Sequence, residues 1–266
     1  MKDLIPFTKM HGIGNDFVVI NGFEHDIENP AGLAQIACDR HFGIGGDGLC
    51  LVLPSKVADI KMRIFNSDGS EAEMCGNGIR GVAVFARDNG LVKKDAITVE
   101  IKAGVKKIVL NDAEVTVDMG EPIIGESMRV CGHDGLCVSM GNPHFVIVKK
   151  NIKELSLEKV GPDIENSPEF FPNKTNVEFV RIDDKKNIEM RVWERGAGPT
   201  LACGTGACAS VVACHTQKLT DREVVVSLPG GHLRIDWRKA DNHVYMTGPA
   251  ATVFTGVYNY PRSSQG

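Results

Sequence analysis

Apolar and polar residues alternate over short runs along most of this chain, the period of half-buried strands. Three such runs, Ile97 to Lys102, Val105 to Leu110 and Val115 to Met119, are split by Ala-Gly and Asn-Asp and read as a meander. Ile5 to Met10 and Phe17 to Asn21 read as strands around a Gly-Ile-Gly-Asn-Asp turn, and strands near Leu49 to Leu53 and Lys61 to Phe65 follow. The second half repeats the order, with strands near 136–148, 175–182 and 187–193 and closing strands to Tyr258. Pro30, suited to a first helical turn, opens a helix from about Ala31 to Arg40, and a polar helix is expected near 154–165. Two segments break the strand pattern. Ile79 to Ala86 is interrupted only by Arg80 and Gly81, and Ala207 to Cys214 is apolar or small throughout. A helix apolar on every side has to be buried on every side. With mostly strands available to cover it, each half should be a curved sheet wrapped around a central helix. The tail PRSSQG, 261–266, reads as frayed.

The two helical segments belong to a repeat. Residues 190–214, MRVWERGAGPTLACGTGACASVVAC, match residues 62–86, MRIFNSDGSEAEMCGNGIRGVAVFA, without a gap (203 − 75 = 128). Phe17-Val18-Val19-Ile20 matches Phe145-Val146-Ile147-Val148 at the same offset, after Gly14-Asn15 and Gly141-Asn142, which are one residue out of step. Self-similarity at a domain's length indicates two related halves rather than a solenoid. The expected fold is therefore α+β, with two structurally similar domains in a pseudo-two-fold repeat. Gly120 to Ser127 is the expected boundary. It divides the chain into 1–122, carrying Cys75, and 123–266, carrying Cys203, with the terminal strands free to cross back to the first domain.

Composition narrows the function. The chain has 266 residues, 42% hydrophobic and 24% charged, an ordinary globular make-up with room for two domains. A formal charge of −4 leaves no basic footprint, so nucleic acid is not an expected partner. The N-terminal stretch MKDLIPFTKMHG has no apolar signal region, and the longest uncharged stretch, Gly196 to Gln217, is broken by Pro, Gly and Thr. No membrane contact is expected. The eight cysteines then suggest reduced thiols and a cytoplasmic setting. No Cys-x-x-Cys and no Cys/His cluster of zinc spacing occurs, so no metal is expected. Neither a Gly-x-Ser-x-Gly elbow nor a Walker A loop is present, and GIGNDF and GIGGDG lack dinucleotide-binding spacing.

Each repeated cysteine stands in a Gly-rich turn at the start of a buried helix, where exposed N–H groups and the positive dipole end favour an anion. That anion could be the thiolate, with a lowered pKa, or a substrate carboxylate held on the amides. Two inert buried thiols, or a reversible disulfide between them, are the alternative readings of the pair. Cys38, Cys50, Cys131, Cys137, Cys208 and Cys214 are read as inert. Two opposed thiols can do what one cannot. One removes a proton from one face of a carbon, the other delivers a proton to the opposite face, and the stereocentre inverts without net redox change.

The stretches HGIGNDFVVI, HFGIGGDG, MRIFNSDGSEAEMCGNGIR, MGNPHFVIV, TNVEFV and WERGAGPTLACGTGACAS, in this order over residues 11 to 210, resemble the diaminopimelate epimerase family. The resemblance implies a cofactor-independent enzyme interconverting LL- and meso-2,6-diaminopimelate in lysine and cell-wall precursor synthesis, on a fold of two similar α+β domains with the active site in the cleft between them. It implies Cys75 and Cys203 as the base and acid that exchange roles with reaction direction. It implies Gly76, Asn77, Gly204 and Thr205 as the turns holding the reacting carboxylate. Asn15, Asn66, Asn142, Asn176, Glu194 and Arg195 would grip the substrate, and His144 and Glu194 would tune the cysteines. A homodimer is a further family expectation. Taken alone, each Asn reads as a turn cap, His144 as a core histidine, and Arg63 and Arg191 as strand residues in ion pairs. Pro199 and Gly81 stand where the family often carries Glu and Cys, and Gly48 where some members carry a substrate-contacting Gln. A proline racemase-like enzyme is the nearest alternative, although proline offers no distal amino acid end for Asn66, Asn176 and Arg195. A phenazine-biosynthesis-like or binding member of the fold should lack one or both cysteines.

Overall fold

The computed structural model describes residues 2–112 and 114–261. The chain opens with β1 (Lys2–Gly12), β2 (Asn15–Asn21), α1 (Pro30–Ala37), β3 (Gly48–Leu53), β4 (Ile60–Asn66), β5 (Glu71–Ala72), α2 (Gly76–Asp88), β6 (Ala96–Ile101) and β7 (Gly104–Leu110). It continues with β8 (Val115–Gly120), β9 (Ile123–Val130), β10 (His133–Ser139), β11 (Pro143–Val148), α3 (Leu157–Glu165), β12 (Asn176–Ile182) and β13 (Asn187–Glu194). It closes with β14 (Gly198–Pro199), α4 (Gly204–Thr216), β15 (Glu223–Leu228), β16 (Gly231–Trp237), β17 (Val244–Gly248) and β18 (Ala251–Pro261). Of the tail expected to fray, Pro261 closes β18 and 262–266 lie outside the described residues.

The chain forms two compact units, Met1–Thr116 with Pro249–Gly266, and Val117–Gly248. The division thus falls at 116/117 rather than 122/123, and the last strand returns to the first unit because β18 pairs antiparallel with β1 along its length. The expected boundary at Gly120 to Ser127 is instead largely strand. β9 begins at Ile123 and pairs with β10, and its solvent-facing residues give it a loop's composition.

Within each unit the strands pair in the same sequence. In the first, β1/β2 is antiparallel, β2/β3 parallel, β3/β4 antiparallel, β4/β6 parallel and β6/β7 antiparallel. In the second, β10/β11 is antiparallel, β11/β12 parallel, β12/β13 antiparallel, β13/β15 parallel and β15/β16 antiparallel. The two-residue strands β5 and β14 pair antiparallel with β4 and β13 just before each cysteine.

The central helices are buried as their composition requires. Every residue from Gly76 to Ala86 in α2 and from Gly204 to Cys214 in α4 is buried. α2 packs on β1, β2, β3, β4, β7 and β18, and α4 on β10 to β13 and β15 to β17. The parallel pairs carry a second layer. α1 covers a cluster of Val18, Ile20, Leu33, Leu49 and Leu51, and α3 covers Phe145, Ile147, Leu157, Val177 and Phe179. Strands with a helix on both faces lose alternation and become continuously apolar, as Phe17–Ile20 does. Arg63 pairs with Glu71 at 2.8 Å, as expected of it. Arg191 instead donates to the carbonyls of Ile152, Lys153 and Leu155 and so pins the segment before α3.

Candidate active site

In the first unit Cys75 is the N-cap of α2 (φ −141°, ψ 114°), and its sulfur accepts the Gly78 N–H at 3.4 Å. The thiol is half-buried and lies 3.7 Å from Asn15 Oδ1, which also accepts from Asn77 Nδ2 at 3.1 Å. Both amides are oriented from behind. Arg80, fully buried in α2, donates to Asn77 Oδ1 at 3.0 Å and to Gly76 O at 3.1 Å. Asn15 Nδ2 donates to Asp47 Oδ2 at 2.6 Å, and Arg40 bridges Asp47 (2.8 Å) and Asp16 (2.7 Å). Burial alone would raise the Asp16 carboxyl, but the hydrogen bonds and charges of Arg40 and Lys9 outweigh it and bring the pKa down to about 2. Gly14, at φ 87°, supplies the left-handed turn that delivers Asn15. Asn66, at the end of β4, sits apart from this web of bonds. Its exposed side chain donates to Ser70 Oγ at 2.9 Å, the turn-capping role its residue type alone suggests.

In the second unit Cys203 is the N-cap of α4 (φ −123°, ψ 108°) and accepts the Gly206 N–H at 3.4 Å. Around it the residues are charged. Glu194 shares a hydrogen bond with the Cys203 thiol and accepts one from Thr200 Oγ1. His144 Nδ1 lies 2.7 Å from Glu178 Oε1, both side chains being wholly enclosed, and His144 Nε2 lies 3.1 Å from Asn142 Oδ1. Asn142 Nδ2 donates to Thr205 Oγ1 at 3.2 Å, and that oxygen is 3.6 Å from the Cys203 sulfur. Asn176 Oδ1 accepts the Arg195 N–H at 2.9 Å while its Nδ2 donates to Pro143 O at 2.8 Å, so this buried amide ties the loop after β13 to the start of β11. Arg195 itself is exposed, its guanidinium 3.4 Å from Asn173 O.

The two thiols are therefore not equivalent. The lowered pKa expected of a helix N-terminus does not hold for Cys203. Burial pushes that thiol well above its ordinary range, and the Glu194 and Glu178 charges push the same way against the Thr205 and Gly206 hydrogen bonds. Burial also raises the Glu194 carboxyl. The residue behind Cys75 in the first unit is the neutral, buried Cys50, whose own thiol burial raises. The first turn of a helix leaves N–H groups without intrahelical acceptors. Gly76–Asn77 and Gly204–Thr205 form those turns, so each suits a carboxylate beside a sulfur.

Sequence reasoning passed over Glu178, Asp47 and Arg80. Each left a signal. Glu178 is the one charge in the buried strand Asn176–Val180, Asp47 closes the glycine-rich HFGIGGDG, and Arg80 is the one charge between Gly76 and Ala86.

Comparison with known proteins fits the geometry. The family model described as diaminopimelate epimerase matches residues 7–124 and 136–253. A diaminopimelate epimerase of Acetivibrio thermocellus is 50% identical, aligned over 94% of this chain and 97% of its own length. One of Methanococcus maripaludis is also 50% identical, over 95% and 99%. Among solved structures, a PhzF-family phenazine biosynthesis protein of Bacillus anthracis superposes with a TM-score of 0.72 at 19% identity, covering 96% of this chain and 99% of that one. A hydroxyproline epimerase of Agrobacterium vitis superposes with a TM-score of 0.68 at 15% identity, covering 96% and 92%. At such identities the structural likenesses establish the fold alone. With the family model spanning both repeats and relatives at half identity over nearly their full length, the chain belongs to the diaminopimelate epimerase family.

Proposed function

We infer that this protein is an isomerase that interconverts LL-2,6-diaminopimelate and meso-2,6-diaminopimelate by proton transfer at an α-carbon, without a cofactor, in lysine and peptidoglycan precursor synthesis. The observation that carries the reading is the matched pair of cysteine N-caps, one per unit, in a chain half identical to diaminopimelate epimerases. An inversion asks for two thiols on opposite faces of one carbon. Cys75 and Cys203 are proposed for those roles, with Cys203 the proton donor at rest, since its surroundings hold it as thiol. Gly76, Asn77, Gly204 and Thr205 bind the reacting carboxylate on helix N-termini. Asn15, Asn142, Asn66, Asn176, Glu194 and Arg195 hold the rest of the substrate, and His144 and Glu194 adjust the cysteines. Among these, Arg195 has the chemistry for the distal carboxylate, because its exposed guanidinium is a planar, two-pronged donor. A proline racemase reading lacks a use for that group.

No helix among the described residues is long and apolar enough to cross a membrane. A cytoplasmic location is proposed on the unpatterned cysteines, and a homodimer on the apolar residues Leu4 and Val257 that one face of the β1/β18 pair exposes. Incubation with LL-diaminopimelate should yield the meso isomer, while L-proline stays unconverted. Arg195→Ala should raise KM for diaminopimelate by at least about tenfold with kcat less affected, as loss of a charged anchor does. An unchanged KM in that variant, or turnover of proline at a comparable rate, contradicts the assignment.

A further inference from the structure

The repeat frame sets Cys50 of the first unit against Glu178 of the second, and Asp16 against His144, each 128 residues apart (178 − 50 = 144 − 16 = 128). One unit thus places a neutral thiol behind its cysteine helix, and the other a carboxylate wholly buried on β12. A buried carboxylate is expensive even beside one partner, and while Oε1 meets His144, Glu178 Oε2 finds no hydrogen-bond partner. Stability alone would favour an apolar residue here. Gly206 in α4 also has to be glycine for Glu178 to fit, since a Cβ there would stand 2.6 Å from Glu178 Oε1 and 3.1 Å from the Cys203 sulfur. A charge kept at this expense, directly beneath a reacting sulfur, calls for a functional reason.

The hydrogen bonds supply one. From Glu178 an unbroken series runs through His144, Asn142 and Thr205 to Cys203, with successive separations of 2.7, 3.1, 3.2 and 3.6 Å. We propose that Glu178 is a positioning residue for Cys203, acting through this relay to aim the Thr205 hydroxyl hydrogen at the Cys203 sulfur. The carboxylate accepts from His144 Nδ1–H, and the Asn142 amide, oriented with Oδ1 toward the ring, is an acceptor for a hydrogen on Nε2. That second N–H donates to Asn142 Oδ1, which leaves the Asn142 amide hydrogens for Thr205 Oγ1. Thr205, already accepting, has only its own O–H to offer, and the sulfur is the acceptor beside it. Turned over, with one N–H on the ring and the Asn142 amide reversed, the same series lets the Cys203 thiol donate to Thr205 instead. A cysteine that is base in one direction and acid in the other needs both polarities. The groups facing this relay are Glu194 from β13 and the α4 N-terminus. Behind Cys75 the series is of another kind, running through Asn15 and Asp47 to Arg40, and Cys50 stands where the second unit has Glu178.

The role rests on the epimerase reading, but its test needs no substrate. The initial rate of alkylation at Cys203 by a small excess of iodoacetamide is read by peptide mass spectrometry at one pH, with Cys75 as internal reference. Glu178→Gln keeps the shape and removes the charge. Simple loss of a repelling carboxylate would speed Cys203 alkylation. The relay predicts the opposite, about a tenfold slowing at Cys203, equivalent to one pKa unit, with Cys75 unchanged. Thr205→Val should slow it similarly, and the double variant should be no slower than either single one, because both cut the same series. Should Glu178→Gln fail to fold by circular dichroism, Asn142→Ala severs the relay without touching the buried dyad and has to give the same slowing. Faster or unchanged alkylation, or additive effects, overturns the relay. Slowing at Cys203 in a protein inactive on diaminopimelate overturns the functional reading and leaves the relay standing.

Discussion

Asp16 shows how much of this site is held by charge one step removed from the chemistry. Lys9 and Arg40 bring its pKa down to about 2, against about 4 in an unfolded chain. A carboxyl lowered by folding adds stability above its unfolded pKa, and the gain is lost as pH falls through the folded value. Arg40→Met should therefore cost about 1–2 kcal/mol in urea unfolding at pH 7, discounted because the Arg40 side chain is more than half exposed, and the difference should close as pH falls toward 2. A pH-independent difference would show that packing rather than charge is at work. The same residue scale shows what a sequence yields and withholds. Cys75 and Cys203 were legible because they recur in one turn. Asn15, Asn77, Asn142 and Thr205 were legible through the family motifs around them, and the structure joins them in pairs beside the two sulfurs. Glu178 was not, since a Glu in a strand ordinarily points to solvent, and only the helix packed on β12 makes it buried. The direction of the Cys203 shift was missed for the same reason. A helix end is visible in sequence, whereas the carboxylates that oppose it arrive from β12 and β13.

At the scale of elements, α2 and α4 follow from composition alone, and glycines within them test how tightly each is enclosed. At Gly81 an added Cβ meets nothing nearer than Met10 Cβ at 3.8 Å, ordinary contact. Gly81→Ala should stabilise α2 by about 0.5–1 kcal/mol, the helix preference for alanine, and leave kcat unchanged. Gly206→Ala drives a methyl into Glu178 and the Cys203 sulfur. It should cost about 1–3 kcal/mol by overpacking and remove most of the activity. Calorimetry of the two variants gives shifts of opposite sign, and a neutral Gly206→Ala would mean that Glu178 can move aside. Strand positions were legible to within a residue or two where alternation is clean, as in β6 to β8. They were not at β9, whose exposed Ile123–Glu126 carries no core signature beyond its cross-strand partners.

At the scale of the molecule, the doubled architecture gives each unit one cysteine N-cap, and the proposal that both serve one carbon rests on that match. Each unit supplies an N-cap thiol, a first helical turn suited to a carboxylate and an Asn-based set of hydrogen bonds, and the two differ in the residue behind the helix, Cys50 in one and Glu178 in the other. The repeat was legible as sequence similarity. The return of β18 to β1 was left open, because pairing of the two chain ends leaves no local pattern. The central claim, two thiols acting on one carbon from opposite faces, is tested most directly in D2O with LL-diaminopimelate. The account predicts that meso product carries one deuterium at the inverted α-carbon while substrate recovered at early conversion stays protonated, since the proton taken by one sulfur is not the one delivered by the other. Cys75→Ala and Cys203→Ala should each slow the conversion by more than about 10³-fold, within the range of proton-transfer catalysis. Product formed without solvent deuterium, or conversion that survives loss of either thiol, contradicts the account.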